Sequence, residues 1–169
     1  MKDRQLHQTE MIWTPAKINL HLEILARRTD GYHDLETLMV PISIFDSLSF
    51  TATSDETLTL SCVWEPGIEA RQNASRQRGV ESPWEPLPPP GQNLAWRAIA
   101  TLREEAQVRS GGHLRITKNI PAAAGLGGAS SNAAAALLLA NRGWDLHWGT
   151  ERLAELASRL GSDVPFFLY

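Results

Sequence analysis

The stretch from Pro121 to Ala140, PAAAGLGGASSNAAAALLLA, limits the possible folds more than any other. Glycines at 125, 127 and 128 permit positive φ and let a ligand approach the backbone without meeting a Cβ. The alanine and leucine run behind them reads as an apolar helix whose small side chains pack closely on a sheet. In front stands HLRITKNI, a strand with Leu114 and Ile116 on one face. Strand, glycine bend and buried helix in that order place a helix N-terminus beside the bend. Its unpaired N–H groups and about half a positive charge favour an anion, most often phosphate. Ser130 and Ser131 are the expected caps of that helix. G-x-G-x-x-G is matched only in part, since Ser130 takes the last position, and no lysine follows to make a P-loop. A tight strand-to-helix turn without a ligand stays open as the alternative on the loop alone.

The rest of the chain supplies the sheet. KINLHLEIL, residues 17–25, alternates, with Ile18, Leu20, Leu22 and Ile24 expected on one face and Lys17, Asn19, His21 and Glu23 on the other. Asp30-Gly31 signals a turn. A second alternation passes through Leu38, Val40, Ile42 and Ile44, where Pro41 calls for an edge or a bulge. SLSFTAT and TLTLSCV read as two further short strands. Residues 65–92, rich in proline, glycine and charge, read as a flexible surface insertion, and PLPPP within them favours polyproline II. Helical spacing resumes with Leu94, Ala95, Ala98, Ile99 and Leu102. A last helix carries Leu153, Leu156 and Leu160, with Thr150 as its expected N-cap and Gly161 as its stop. SDVPFFLY is expected to be extended. The reading is an α+β two-layer domain.

Composition excludes little but usefully. A formal net charge of −3 over 169 residues gives no reason to expect nucleic acid as the partner. The longest apolar run, Ala133 to Ala140, is far short of the about 20 residues that cross a bilayer. With a polar N-terminus and a single cysteine, Cys62, the chain reads as soluble and cytoplasmic, with no membrane partner. Cys62 is expected to fill apolar space. His7, His21, His113 and His147 lack ligand-like spacing, so no metal ligands are named.

PAAAGLGGASSNAAAA resembles the phosphate loop of the GHMP small-molecule kinases. PAKINLHLEIL with RRTDGYHDLETL, QNLAWRA and LGSDVPFFL resemble, in the same order, blocks of the branch acting on 4-diphosphocytidyl-2-C-methyl-D-erythritol in non-mevalonate isoprenoid synthesis. The resemblance implies the N-terminal ATP-binding domain of that family over residues 1–169, with a ribosomal-protein-like α/β fold. It also implies a C-terminal domain that this chain lacks. The implied activity is ATP-dependent phosphorylation of the substrate's 2-hydroxyl. Another alcohol substrate, or a non-catalytic nucleotide-binding half-protein, are the alternatives.

Carried across residue by residue, the resemblance makes Asp163 the base that takes the hydroxyl proton and Lys17 its cationic partner. Asn19 would hold the substrate or the lysine. Tyr32 and His33 would meet the cytosine by stacking and hydrogen bonds. Pro121, Ala122, Ala123, Ala124, Gly125, Leu126, Gly127, Gly128, Ala129, Ser130 and Ser131 would cradle the ATP phosphates, with the Ser130 hydroxyl on phosphate or Mg²⁺. Lys118, Asn93 and Leu94 fall near the adenine pocket. Ala129 stands where many relatives have glycine, a change tolerated if its φ is negative.

Overall fold

The computed structural model describes residues 10–27, 29, 31, 33–79 and 86–169, with His33 described by its backbone alone. Strands β1 (Met11–Arg27), β2 (His33–Thr53), β3 (Leu58–Trp64) and β4 (Gly111–Lys118) form one sheet in the order β1-β2-β4-β3. β1 and β4 both run antiparallel to β2, while β3 and β4 run parallel. A parallel pair needs a crossover, and this one contains α1 (Pro66–Gln77) and α2 (Leu94–Glu105). After β4 come α3 (Gly128–Gly143), α4 (Thr150–Ser158) and a 3-10 turn at Pro165–Leu168.

The apolar phase of the sheet explains the layering. Leu48, Phe50, Leu114 and Ile116 share one face, and all are buried against Ala98, Ile99 and Leu102 of α2, Ala133, Leu137 and Ala140 of α3, and Leu153 and Leu156 of α4. The alanine-rich α3 lies on β1 and β2 because its side chains leave room for close approach. The opposite face is polar, with Ser47, Ser49, Arg115 and Thr117 in register. The two-layer α+β arrangement expected from sequence is the one observed. No described helix is long and apolar enough to cross a membrane.

Several sequence expectations need correction. Residues 65–92 are not all loop: α1 forms because the Glu65 side chain accepts a hydrogen bond from Gly67 N at 2.9 Å and Pro66 occupies the first helical position. Proline is compatible with a helix only there, so it marked a start rather than a break. The alternation through Leu38 and the SLSFTAT stretch are one continuous strand, β2, because register shifts near Ala16 absorb the irregularity without a turn. Pro41 pairs with Lys17 in the half of β2 that has no second neighbour, so its missing N–H leaves no ladder bond unmade. Ser130 and Ser131 sit inside α3, whose N-cap is Gly127, and Thr150 is the first residue of α4 rather than its cap. SDVPFFLY, expected extended, closes into the 3-10 turn.

The bulge between Asn19 and His21 reverses part of the expected face assignment. Lys17 pairs with Pro41, Asn19 with Met39, Leu22 with Thr37 and Ile24 with Leu35. Cross-strand partners share a face, and β2 alternates without interruption through this stretch. Leu22 and Ile24 therefore lie on the same face as Lys17 and Asn19. His21 and Glu23 lie on the other, 3.7 Å apart.

Candidate functional site

The loop from Pro121 to Gly127 joins β4 to α3. It turns through left-handed backbone at Ala123 (φ 54°), Gly125 (φ 72°) and Gly127 (φ 68°). Lys17 N donates to Leu126 O at 2.9 Å, and Ser131 N of α3 donates to Gly127 O at 2.9 Å. Gly127 leaves room for the neighbouring strand: a Cβ there would stand 2.8 Å from Lys17 Cγ and 3.1 Å from Phe167 Cζ. Ala129, the departure noted in the sequence, is in helical backbone and has no positive φ, so its methyl is tolerated.

Behind the loop lies a cavity of about 290 Å³, lined by residues 121–130 with Cys62, Asn93, Leu94, Lys118 and Asn132. That is near the small end of the range for ligand pockets. Asn93 shapes its wall. Its Oδ1 accepts from Ala95 N (3.0 Å) and Trp96 N (3.3 Å), capping α2, while its Nδ2 points to Cys62 Sγ at 3.8 Å. Burial pushes the Cys62 thiol up, opposed by the nearby Lys118 charge. Cys62 also packs against the core, as its expected filler role requires. Asn93→Ala removes the cap and is expected to lower stability by about 1 kcal/mol, read as a drop in thermal midpoint.

Asp163, after α4, and Lys17, on β1, meet beside this loop. Lys17 Nζ stands 3.3 Å from Asp163 Oδ2 and donates to Asn19 Oδ1 at 3.2 Å. The lysine side chain is 6% exposed and the aspartate 34%, so the carboxylate stays open to a ligand while the ammonium is enclosed. Thr37 Oγ1 also reaches Asn19 Oδ1 at 3.4 Å, and donates to His21 O at 2.9 Å. Lys17, Asn19, Asp163, Lys118, Asn93, Leu94 and the loop are thus gathered at one end of the sheet. Tyr32 and the side chain of His33 lie outside the described residues. Ser131 Oγ is buried without a hydrogen-bond partner, at the start of α3.

A second group was not anticipated. Asp46 is fully buried and accepts from Asn119 N (2.6 Å), Ile120 N (2.8 Å) and Asn132 Nδ2 (2.9 Å), and from the Lys118 ammonium. The signal was present in the sequence: Asp46 occupies the apolar phase set by Leu48 and Phe50, and Asn132 opens an otherwise apolar helical run.

Residues 93–169 match the family model described as GHMP kinases N terminal domain. A 4-diphosphocytidyl-2-C-methyl-D-erythritol kinase of Acinetobacter baumannii is 38% identical over 156 residues, covering 92% of this chain and 48% of the relative. One of the same name from Rhodopirellula baltica is 41% identical, covering 95% of this chain and 52% of the relative. A crystal structure of 4-(cytidine 5'-diphospho)-2C-methyl-D-erythritol kinase superposes with a TM-score of 0.67 at 34% identity, over 94% of this chain and 48% of that one. The chain spans about half the length of the curated relatives it matches. Sequence and fold agree: the chain belongs to the GHMP kinases and carries their N-terminal domain.

Proposed function

We propose that this domain serves ATP-dependent phosphorylation of the 2-hydroxyl of 4-diphosphocytidyl-2-C-methyl-D-erythritol, in isoprenoid synthesis. The observation that carries the reading is the Lys17–Asp163 pair, 3.3 Å apart and packed against Gly127 of the phosphate loop. Phosphoryl transfer asks for positioning and charge stabilisation more than for covalent chemistry. In this reading Asp163 takes the proton of the substrate hydroxyl onto its carboxylate. The Lys17 ammonium lowers the hydroxyl's pKa, steadies the developing alkoxide and keeps Asp163 in place. Asn19, bonded to that ammonium, fixes its direction.

The nucleotide is the second substrate. Its phosphates fit the loop, where glycines at left-handed turns let a ligand approach the backbone and the α3 N-terminus adds partial positive charge. The Ser130 hydroxyl lines the same cavity and is the side-chain contact there. Asn93, Leu94 and Lys118 form the wall that would take the base. Mg²⁺ would come with the triphosphate: among the described residues no group of three His, Cys, Asp or Glu side chains is placed to hold an ion unaided. Leu22, Ile24 and Leu35 are exposed on the Lys17 face of the hairpin, and in this reading Tyr32 and His33 would meet an aromatic base. That apolar strip favours the cytidyl substrate over a small alcohol without a base.

The test pairs binding with turnover. Calorimetry with a non-hydrolysable ATP analogue is expected to show one site per chain. Phosphoryl transfer by a protein containing this domain is expected with the cytidyl substrate and not with homoserine or mevalonate. Transfer to homoserine alone would replace the reading with another GHMP kinase. Binding without transfer to any alcohol would leave a nucleotide-binding module.

A further inference from the structure

Resting on the nucleotide-site reading above, we propose that Asp46 is a positioning residue of this site: one buried carboxylate clamps both ends of the phosphate loop and sets its shape before nucleotide arrives. Oδ1 accepts from Asn119 N at 2.6 Å and Ile120 N at 2.8 Å, the two residues that lead into the loop. Oδ2 accepts from Asn132 Nδ2 at 2.9 Å, in the helix to which the loop leads, and from the Lys118 ammonium. Asn132 Oδ1 accepts from Lys118 Nζ at 3.1 Å, and its amide also donates to Thr14 Oγ1 at 2.9 Å. β1, β2, β4 and α3 are thereby tied at one point.

The loop's own side chains do little to hold its form. Its side chains are those of proline, alanine, glycine and leucine, none of which can hydrogen-bond. Its backbone is tied late in the loop, by Lys17 N at Leu126 O and by Ser131 N at Gly127 O, both 2.9 Å. A run with such glycine freedom samples many shapes unless both ends are fixed. Fixing them in advance removes part of the ordering that anion binding would otherwise demand.

Stability alone is a poor reason for this cluster. A buried ion pair is often no better for stability than apolar residues of the same volume. Satisfied polar networks do fix geometry, because every donor moved leaves an acceptor unmet at low dielectric. The same clamp places the Lys118 ammonium, which lines the cavity and would lie 3.3 Å from a Cβ at Gly128.

Backbone amide exchange on the 169-residue chain without nucleotide tests the clamp. The variants are Asp46→Asn and the double Asp46→Leu/Lys118→Met. The double leaves no unpaired charge, so it is the variant expected to fold if Asp46→Asn does not. In each folded variant, exchange at the Asn119 and Ile120 amides, which lead into the loop, is expected to be at least about tenfold faster than native while the sheet stays protected. Asp46→Asn is also expected to raise the Kd of the ATP analogue about 10- to 100-fold. Unchanged protection of Asn119 and Ile120 in a folded variant, or native analogue affinity in Asp46→Asn, overturns the proposal. If the native chain itself binds no analogue, the nucleotide reading fails, and the exchange result still decides whether Asp46 clamps the loop.

Discussion

Asp163→Asn is expected to lower phosphoryl transfer about 10²- to 10⁴-fold, the usual share of a general base, while the ATP analogue binds within about threefold of native. The asymmetry follows from position. Asp163 touches Lys17 at 3.3 Å and receives the Ser162 hydroxyl at 3.3 Å, but it is not part of the cavity wall behind the loop. Asparagine keeps the size and an acceptor oxygen for Lys17. It cannot take a proton from an alcohol at neutral pH. Removing the carboxylate charge also leaves the enclosed Lys17 ammonium with neutral acceptors in place of the anion that Asp163 supplies. Some loss of thermal stability is therefore expected beside the loss of rate. The split between turnover and nucleotide affinity is the decisive readout. An asparagine variant with native turnover removes the base role from Asp163.

How far the site could be read from sequence differs from residue to residue. The strand, glycine bend and apolar helix around residues 114–140 were legible because period and composition are local signals. So was the register-independent fact that Lys17 and Asn19 lie two apart on a strand. The meeting of Lys17 with Asp163 was legible only through family resemblance, since nothing local links residues so distant in the chain. The face carrying Leu22 and Ile24 was misassigned because a bulge shifts the phase by one residue and leaves no mark in composition. Helix α1 is hidden in the sequence because proline and glycine ordinarily break helices, whereas Pro66 sits at the one helical turn that accepts it. Asp46 is visible as a charge in an apolar phase, but its partners come from β4, α3 and the residues leading into the loop, which only tertiary structure brings together.

Gly127→Ala is expected to be the most damaging single change in the loop, and Gly125→Ala shows why. Both positions have left-handed backbone, φ 68° and φ 72°, so both substitutions carry a conformational cost of about 1–2 kcal/mol. The loop already accepts one methyl in that region, at Ala123 with φ 54°. Strain alone therefore does not separate the two. Space does: a Cβ at 125 would meet nothing within 4 Å, whereas one at 127 would stand 2.8 Å from Lys17 Cγ, 3.1 Å from Lys17 Cε and 3.1 Å from Phe167 Cζ. Lys17 cannot yield easily, because its backbone N–H is bonded to Leu126 O and its ammonium to Asn19 and Asp163. The methyl must displace the lysine stem, and with it the ammonium we propose to stand beside the reacting oxygen. Misplacement of about 1 Å in such a group lowers rates about 10²-fold. Gly127→Ala is thus expected to lose at least about that factor in turnover, while Gly125→Ala shows mainly the lowered thermal midpoint of a strained turn. Measured side by side, equal turnover in the two variants would mean that contact between the loop and Lys17 does not govern transfer.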